Sequence, residues 1–407
     1  MTSEPTADQA QLLAAAKEDH DTVLELTRAL VRIPSRAGVD PYQPSIRALS
    51  GWMTEHGLPI TELRDDSGAT VGLTSEIRGA RPGPRWVLDA CLDTAPFGDE
   101  LAWTHPPTSG LIHDGWLWGR GSADSKAAVA IFCHLAVRLA AVAEQLHGSL
   151  VLLFDLDEHT GGFAGAKRYF QDRNTDVAGV MIGYPGLDKL VTGGRGVYRI
   201  ELRVHGTAAH SGASKPSPNA IEKAADLIHE LRTRELPKVT DPLFPLPGKL
   251  TVTAITGGQG YTTVPDLCTV NLDVRTTPHF DETAAQTLIH TATARIDHRW
   301  PQTRATDTRV VTRWPAYALP ANSPLRATLL STATAFGVDI EPKIAGPANI
   351  GNYLAGLGVP ATAGFGVAYT GLHATDERIR IDTIPLVQAV YHATVLRLLS
   401  ERLEPNE

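Results

Sequence analysis

Leu150-Val151-Leu152-Leu153-Phe154-Asp155-Leu156-Asp157-Glu158-His159 is an apolar run of strand length that ends in a cluster of ionisable side chains. Working outward, Arg85 to Leu92 is a second short, mainly apolar run, with Gly83 and Pro84 just before it, and reads as a buried strand. Gly179 to Gly183 is a third such run. Between the first two, Lys126 to Leu146 is rich in Ala, Val and Leu and reads as a helix. Nearer the start, Asp21 to Ile33 places Val23, Leu24, Leu26, Leu30 and Val31 at helical spacing, and Pro34 ends the run. Strands alternating with helices predict an α/β layer with a largely parallel sheet.

The texture changes after Gly194. Val197 to Val204 alternates apolar and polar residues, as a half-solvated strand does. A helix is expected over Asn219 to Arg232, strands over Lys249 to Ile255 and Cys268 to Arg275, a helix over Glu282 to Ile296, and a strand over Arg309 to Trp314. This β-α-β-β-α-β order is the ferredoxin-like pattern. From Pro320 the α/β style returns. A chain of 407 residues is too long for one core, so two domains are expected. The simplest division is one domain from 1–195 and 316–407, with a second, 196–315, inserted into it.

With 43% hydrophobic and 20% charged residues, the composition is that of an ordinary globular protein. A net charge of −8 offers no basic footprint for nucleic acid or anionic lipid. No stretch approaches the ~20 apolar residues that cross a bilayer. Cys91, Cys133 and Cys268 are too few and too far apart for a disulfide framework, which suits a reducing compartment. A cytoplasmic location is the expectation.

The chemistry lies in where acids and histidines fall. Asp93 follows the strand Trp86–Leu92, and Asp124 sits in Gly119-Arg120-Gly121-Ser122-Ala123-Asp124-Ser125-Lys126, just before the long helix. Asp157, Glu158 and His159 end the strand Val151–Leu156. His373 lies in Gly371-Leu372-His373-Ala374-Thr375-Asp376-Glu377, after the apolar segment Pro360 to Val367. Open α/β sheets place their ligand sites at such strand ends. Carboxylates and imidazoles gathered there are the material of a hydrolytic zinc site.

The order of these groups resembles the zinc amide hydrolases that include acetylornithine deacetylase, succinyl-diaminopimelate desuccinylase, aminoacylase and carboxypeptidase G. Leu30-Val31-Arg32-Ile33-Pro34-Ser35 is similar to that family's opening, and Leu92 to Asp99 to its first metal motif. Trp103 to Lys126, with Asp114-Gly115 and Gly119-Arg120-Gly121, is the most specific block. Asp157 to Gly162 resembles the catalytic acidic motif, and His210-Ser211-Gly212 with Asn219-Ala220 the start of the lid. The resemblance implies a zinc-peptidase-like α/β catalytic domain with a mixed, mainly parallel sheet, and an inserted ferredoxin-like α+β lid through which a homodimer forms. It implies that Asp124 bridges two metals and that Glu158 is the general base. Asp93 would orient the first ligand, and His373 would be the ligand from the C-terminal part. His210 would reach the neighbouring subunit's site to stabilise the oxyanion. Arg275 would hold a substrate carboxylate, for which a planar guanidinium is suited; its plain alternative is a surface strand charge.

This chain departs from that pattern. The family has His where Cys91 stands, Glu where His159 stands, and Asp or Glu where Tyr184 stands. Thr263 replaces an Asn before Val264-Pro265, and Asn349 stands where many relatives have Asp, a candidate substrate contact. Asp124, His159 and His373 would form one good zinc site with an open fourth position. Cys91, Asp124 and Tyr184 would form a poor one, since a phenol with a pKa near ~10 is a weak ligand at neutral pH. One zinc is therefore expected, with the second position weak or empty. Cys91 is open to three readings: a zinc thiolate, a buried small hydrophobe, or a nucleophile. Tyr184 either donates a hydrogen bond to substrate or simply packs. The reaction expected is hydrolysis of a small N-acyl amino acid or dipeptide-like amide. Its rivals are non-hydrolytic amide formation or acyl transfer on the same scaffold, and a non-catalytic binder.

Overall fold

The computed structural model describes residues 6–171, 176–238 and 241–400. The chain forms two compact units. One gathers the chain up to Thr192 with Leu319–Lys343 and the chain from Leu357 onward; the other comprises Gly193–Ala318 and Ile344–Gly356. By sequence, 344–356 falls within 316–407, yet it groups with the second unit. Asn352 explains why: its side-chain amide donates to the carbonyls of Arg195 and Pro315 at 3.1 and 2.9 Å, and the Arg195 N–H donates to the Ala345 carbonyl.

In the first unit, four strands run parallel in the order His147–Asp155, Arg81–Cys91, Val177–Ile182, Ala361–Gly364. Antiparallel strands extend both sides, Thr70–Arg78 and then Thr61–Arg64 beyond His147–Asp155, and Lys189–Gly194 beyond Ala361–Gly364. Leu150, Leu152 and Phe154 alternate with Val151 and Leu153, and all five are buried. Both faces are therefore covered, which is why the run reads as continuously apolar rather than alternating. The core joins this sheet to the helices Ala7–Val31, Ala127–Ala140 and Ile384–Ser400, through Leu24, Leu30, Phe132, Leu135, Val390 and Tyr391.

Two local outcomes differ from the sequence expectation. The first helix begins at Ala7 rather than Asp21, opened by a capping box between Thr6 and Gln9. Its first turns are largely exposed, so they carry no apolar periodicity to read. The helix expected over Lys126 to Leu146 runs only Ala127–Ala140. Before it, residues 122–126 form a wide turn in which the Lys126 N–H reaches the Gly121 carbonyl at 2.9 Å and the Asp124–Ser125 peptide is cis. Gly121 enters that turn at φ 80°, and a Cβ there would meet Thr94 Cγ2 at 2.5 Å.

A small antiparallel sheet, ordered Tyr369–Thr370, Arg378–Arg380, Trp116–Trp118, Leu111–His113, completes the unit. Its hairpin is closed by Asp114-Gly115, both with positive φ, as a two-residue loop of this composition requires.

The second unit carries a four-stranded antiparallel sheet ordered Lys249–Gly257, Leu267–Thr276, Gly196–His205, Asp307–Trp314. With the helices Ala220–Arg232 and Glu282–Arg299, this is the ferredoxin-like arrangement. Ile200, Leu202, Val270, Leu272, Leu227 and Ile289 form its separate core. Among the described residues, no helix is long and apolar enough to cross a membrane.

Candidate active site

The C-terminal ends of the parallel strands converge. Cys91 ends its strand in register with Asp155 of the neighbouring one. Asp93 follows the first strand, Glu158 and His159 follow the second, and Tyr184 follows Val177–Ile182. His373 lies in the loop between Tyr369–Thr370 and Arg378–Arg380, beyond the fourth. The wide turn at 122–126 delivers Asp124 to the same place.

Asp93 is fully buried and binds the Glu158 loop at three points. Its carboxylate accepts from the backbone N–H groups of Glu158 and His159 at 3.1 and 2.9 Å, and lies 3.1 Å from His159 Nδ1. Asp93 was expected to orient the ligand at position 91. A thiol has no second donor to orient, and the carboxylate instead fixes His159.

Asp124 sits at the centre. His373 Nε2 is 2.9 Å from its Oδ2, His159 Nε2 is 3.5 Å from the same oxygen, and the Cys91 thiol lies 3.7 Å from Oδ1. The rings of His159 and His373 are 5.1 Å apart between centroids. Cys91 also touches Ser125, whose Oγ is 3.3 Å from Sγ and accepts the Cys91 N–H at 3.0 Å. Among the described residues, Cys91, Asp124 and His159 offer one ligand atom each, all within 4.8 Å of one another. The set expected from the sequence had His373 in place of Cys91; in this arrangement His373 Nε2 is directed to Asp124.

The electrostatics follow from burial. Burial alone would raise the Asp124 carboxyl and lower the His159 imidazole, but their mutual contact wins, holding Asp124 well below the usual carboxylate range and His159 well above the usual imidazole range. Glu158 is pushed up to about 8, first by burial and then by the charge of Asp124. Burial and the nearby Asp124 raise the Cys91 thiol well above its usual range, which argues against a free nucleophilic thiolate. Tyr184 is raised by burial and by Asp124 and Glu158, so it remains a neutral hydroxyl.

A divalent cation fits these residues. A thiol, a carboxylate and an imidazole are a zinc-type donor set. His159 Nε2 is buried with no hydrogen-bond partner, the condition of a nitrogen awaiting a ligand.

Glu377 stands in the His373 motif, and the sequence alone assigns it no role. It is buried and takes Arg120 at 2.6 Å on one oxygen, and the N–H groups of Ala123 and Asp124 at 3.0 and 3.3 Å on the other. Asp376 accepts from the N–H and hydroxyl of Thr104. Glu377 ties the His373 loop to the Asp124 turn, and Asp376 ties it to the segment at Thr104. A His followed by paired acids was the available signal. Lys126, pushed down to about 8 by burial, donates to the carbonyls of Leu30 and Ile33 and pins the turn to the first helix.

His210, Arg275 and Asn349 belong to the second unit. His210 is exposed, paired with Thr263 across a two-residue ladder, and its Nδ1 accepts the Gly212 N–H at 3.0 Å. Arg275 binds Asp273 through Nε and Nη2 at 2.7 and 3.3 Å. Asn349 is buried and caps a short helix, accepting the Gly351 N–H at 2.9 Å.

The chain belongs to peptidase family M20/M25/M40, whose model matches residues 87–397. It is thereby a metallo-amidohydrolase in class. It is 31% identical to a succinyl-diaminopimelate desuccinylase of Xanthomonas oryzae pv. oryzae over 93% of this chain and 99% of that protein. A desuccinylase of Stenotrophomonas maltophilia is 29% identical over the same shares. Among solved structures, a tripeptidase from Staphylococcus aureus superposes with a TM-score of 0.72 at 18% identity, covering 94% of this chain and 99% of that one. A dinuclear metal-binding peptidase of the same family from Bacillus subtilis gives 0.70 at 16%, with the same coverage. At such identities the likeness concerns the fold.

Proposed function

We propose that this protein hydrolyses the amide bond of a small N-acyl amino acid, using a zinc ion held around Asp124 and His159 and Glu158 as general base. The observation that carries the reading is the buried Asp93–His159–Asp124 chain with Glu158 beside it. A general base works best with a pKa near the operating pH, and burial with the charge of Asp124 raises Glu158 from the ordinary carboxylate range in that direction. Bound zinc supplies Lewis-acid polarisation of the scissile carbonyl and lowers the pKa of water toward ~7. Glu158 takes a proton from the attacking water and passes it to the leaving nitrogen as the C–N bond breaks. Acid and free amine are the products.

The lid completes the reading. With Nδ1 of His210 accepting a hydrogen bond, its proton resides on Nε2, a donor suited to an oxyanion. In this proposal His210 comes from the partner subunit of a homodimer formed through the lid. Arg275 turns from Asp273 to the substrate carboxylate, and Tyr184 offers a hydroxyl. The desuccinylase names of the relatives point to an acyl group that itself ends in a carboxylate, and the cytoplasm is the expected location.

Purified, zinc-supplemented protein should be incubated with N-succinyl and N-acetyl amino acids and dipeptides, and free amine measured. The proposal expects release from one acyl class well above the others. No release from any of them would refute it.

A further inference from the structure

We infer that this chain, resting on the hydrolase reading above, holds a single thiolate-ligated metal ion on Cys91, Asp124 and His159, with Asp93 as the residue that positions His159.

Three observations support it. The first is proximity. Sγ of Cys91, a carboxylate oxygen of Asp124 and a ring nitrogen of His159 come from three separate strand ends or turns, and all lie within 4.8 Å of one another. Cys91 and Asp124 are buried, and the His159 side chain is 3% exposed. Three protein ligands and one open position are the make-up of a catalytic zinc site.

The second is the contrast between the two nitrogens of His159. Nδ1 faces Asp93 at 3.1 Å, and Asp93 cannot easily turn away because two backbone N–H groups also hold it. Nε2 is buried without a hydrogen-bond partner and faces Asp124 at 3.5 Å. A metal ion at Nε2 would take the place of the proton held there beside Asp124, while Nδ1–H stays on Asp93, the disposition metal-binding histidines adopt.

The third is the donor count. Once Cys91, Asp124 and His159 are engaged and Glu158 serves as base, a second ion would have a shared oxygen of Asp124, the His373 imidazole 2.9 Å from it and the Tyr184 phenol, a weak ligand. His373, half-exposed, then steadies Asp124 rather than carrying a second ion. A thiolate in the set favours zinc or cobalt over manganese or magnesium.

Cobalt(II) titration of the metal-free full-length protein tests this directly. Saturation is expected at one equivalent, with a thiolate-to-cobalt charge-transfer band in the near ultraviolet. Cys91→Ser should abolish the band, whereas Cys268→Ser should leave it. Asp93→Asn should keep the band and weaken binding by roughly 10–100-fold. Saturation at two equivalents, or a one-equivalent complex of the unmutated protein without the band, overturns the inference. None of these readouts involves turnover. A thiolate band in a protein that releases no amine would uphold the metal assignment and remove the hydrolase reading; amine release without the band would do the reverse.

Discussion

In the second unit, charged side chains pair across the outside of the sheet, Arg309 with Glu201 at 2.9 Å and Arg199 with Asp273 at 3.1 Å, whereas in the first unit Asp93, Asp124, Arg120 and Glu377 are all buried at the ends of strands. Each unit has its own apolar core, so neither needs charge to drive folding. Lys223 is the exception in the second unit, buried but satisfied by Asp297 at 2.7 Å and by Thr303 and Arg304. In the first unit satisfaction is incomplete: His159 Nε2 and one oxygen of Asp89 lack partners. Buried charges cost stability unless paired, so a fold that gathers them at one place is retaining them for chemistry.

The sharpest way to break this contrast is Glu158→Gln. Removing a general base should lower kcat by roughly 10²–10⁴-fold while bound metal, measured per chain, is unchanged. Unaltered turnover would strip Glu158 of its role. Next comes Glu377→Gln, which leaves Arg120 buried without its counter-charge. A loss of about 3–5 kcal/mol in denaturant unfolding is expected, accompanied by weaker metal binding because the Asp124 turn loses its anchor. Full stability in that variant would show that the pair is not the strut it is taken for.

A smaller effect separates burial from catalysis. His392 is buried and pushed down to about 4 from its usual range by that burial. The unfolded chain therefore takes up a proton near ~6.5 that the fold refuses. Stability from this group is whole above that value and is lost as pH falls toward 4, by roughly 3 kcal/mol. Asp155, pushed up to about 7 mainly by burial, acts in the opposite sense: it favours the fold as pH falls through the same region. A bare acid-denaturation curve would mix the two, so His392→Gln should be compared with the unmutated protein at neutral and mildly acidic pH. The variant should lose less; equal losses would contradict the assignment. Least of all should change in Arg309→Ala, an exposed pair in the second unit, where no measurable shift in the unfolding midpoint is expected. A large shift there would mean that the second unit also depends on its ion pairs.

Much of this was legible in the sequence, for identifiable reasons. The strands at Arg81–Cys91, His147–Asp155 and Val177–Ile182 are buried on both faces and so announce themselves as apolar runs. The ferredoxin-like order of the second unit was visible because its sheet is covered on one side and alternates. What escaped notice were features set by hydrogen bonds rather than by hydrophobic pattern. The wide turn holding Asp124 lies in a stretch whose composition blends into the helix after it. The small sheet has strands of two or three residues, too short to show a period, although Asp114-Gly115 was a usable hairpin signal. At the site, the positions of Asp124, Glu158, His159 and His373 follow from their motifs. The partner of Asp93 did not, because its hydrogen bond to His159 is a contact between residues 66 apart in sequence that no local pattern announces.

In the proposed reaction, amide cleavage depends on a metal held at Asp124 and His159. That dependence is tested most directly by removing the metal with a chelator, verifying metal-free protein, and adding zinc back in measured equivalents while following amine release. The account predicts no turnover without metal and full recovery as zinc is restored. Undiminished turnover in verified metal-free protein would contradict it.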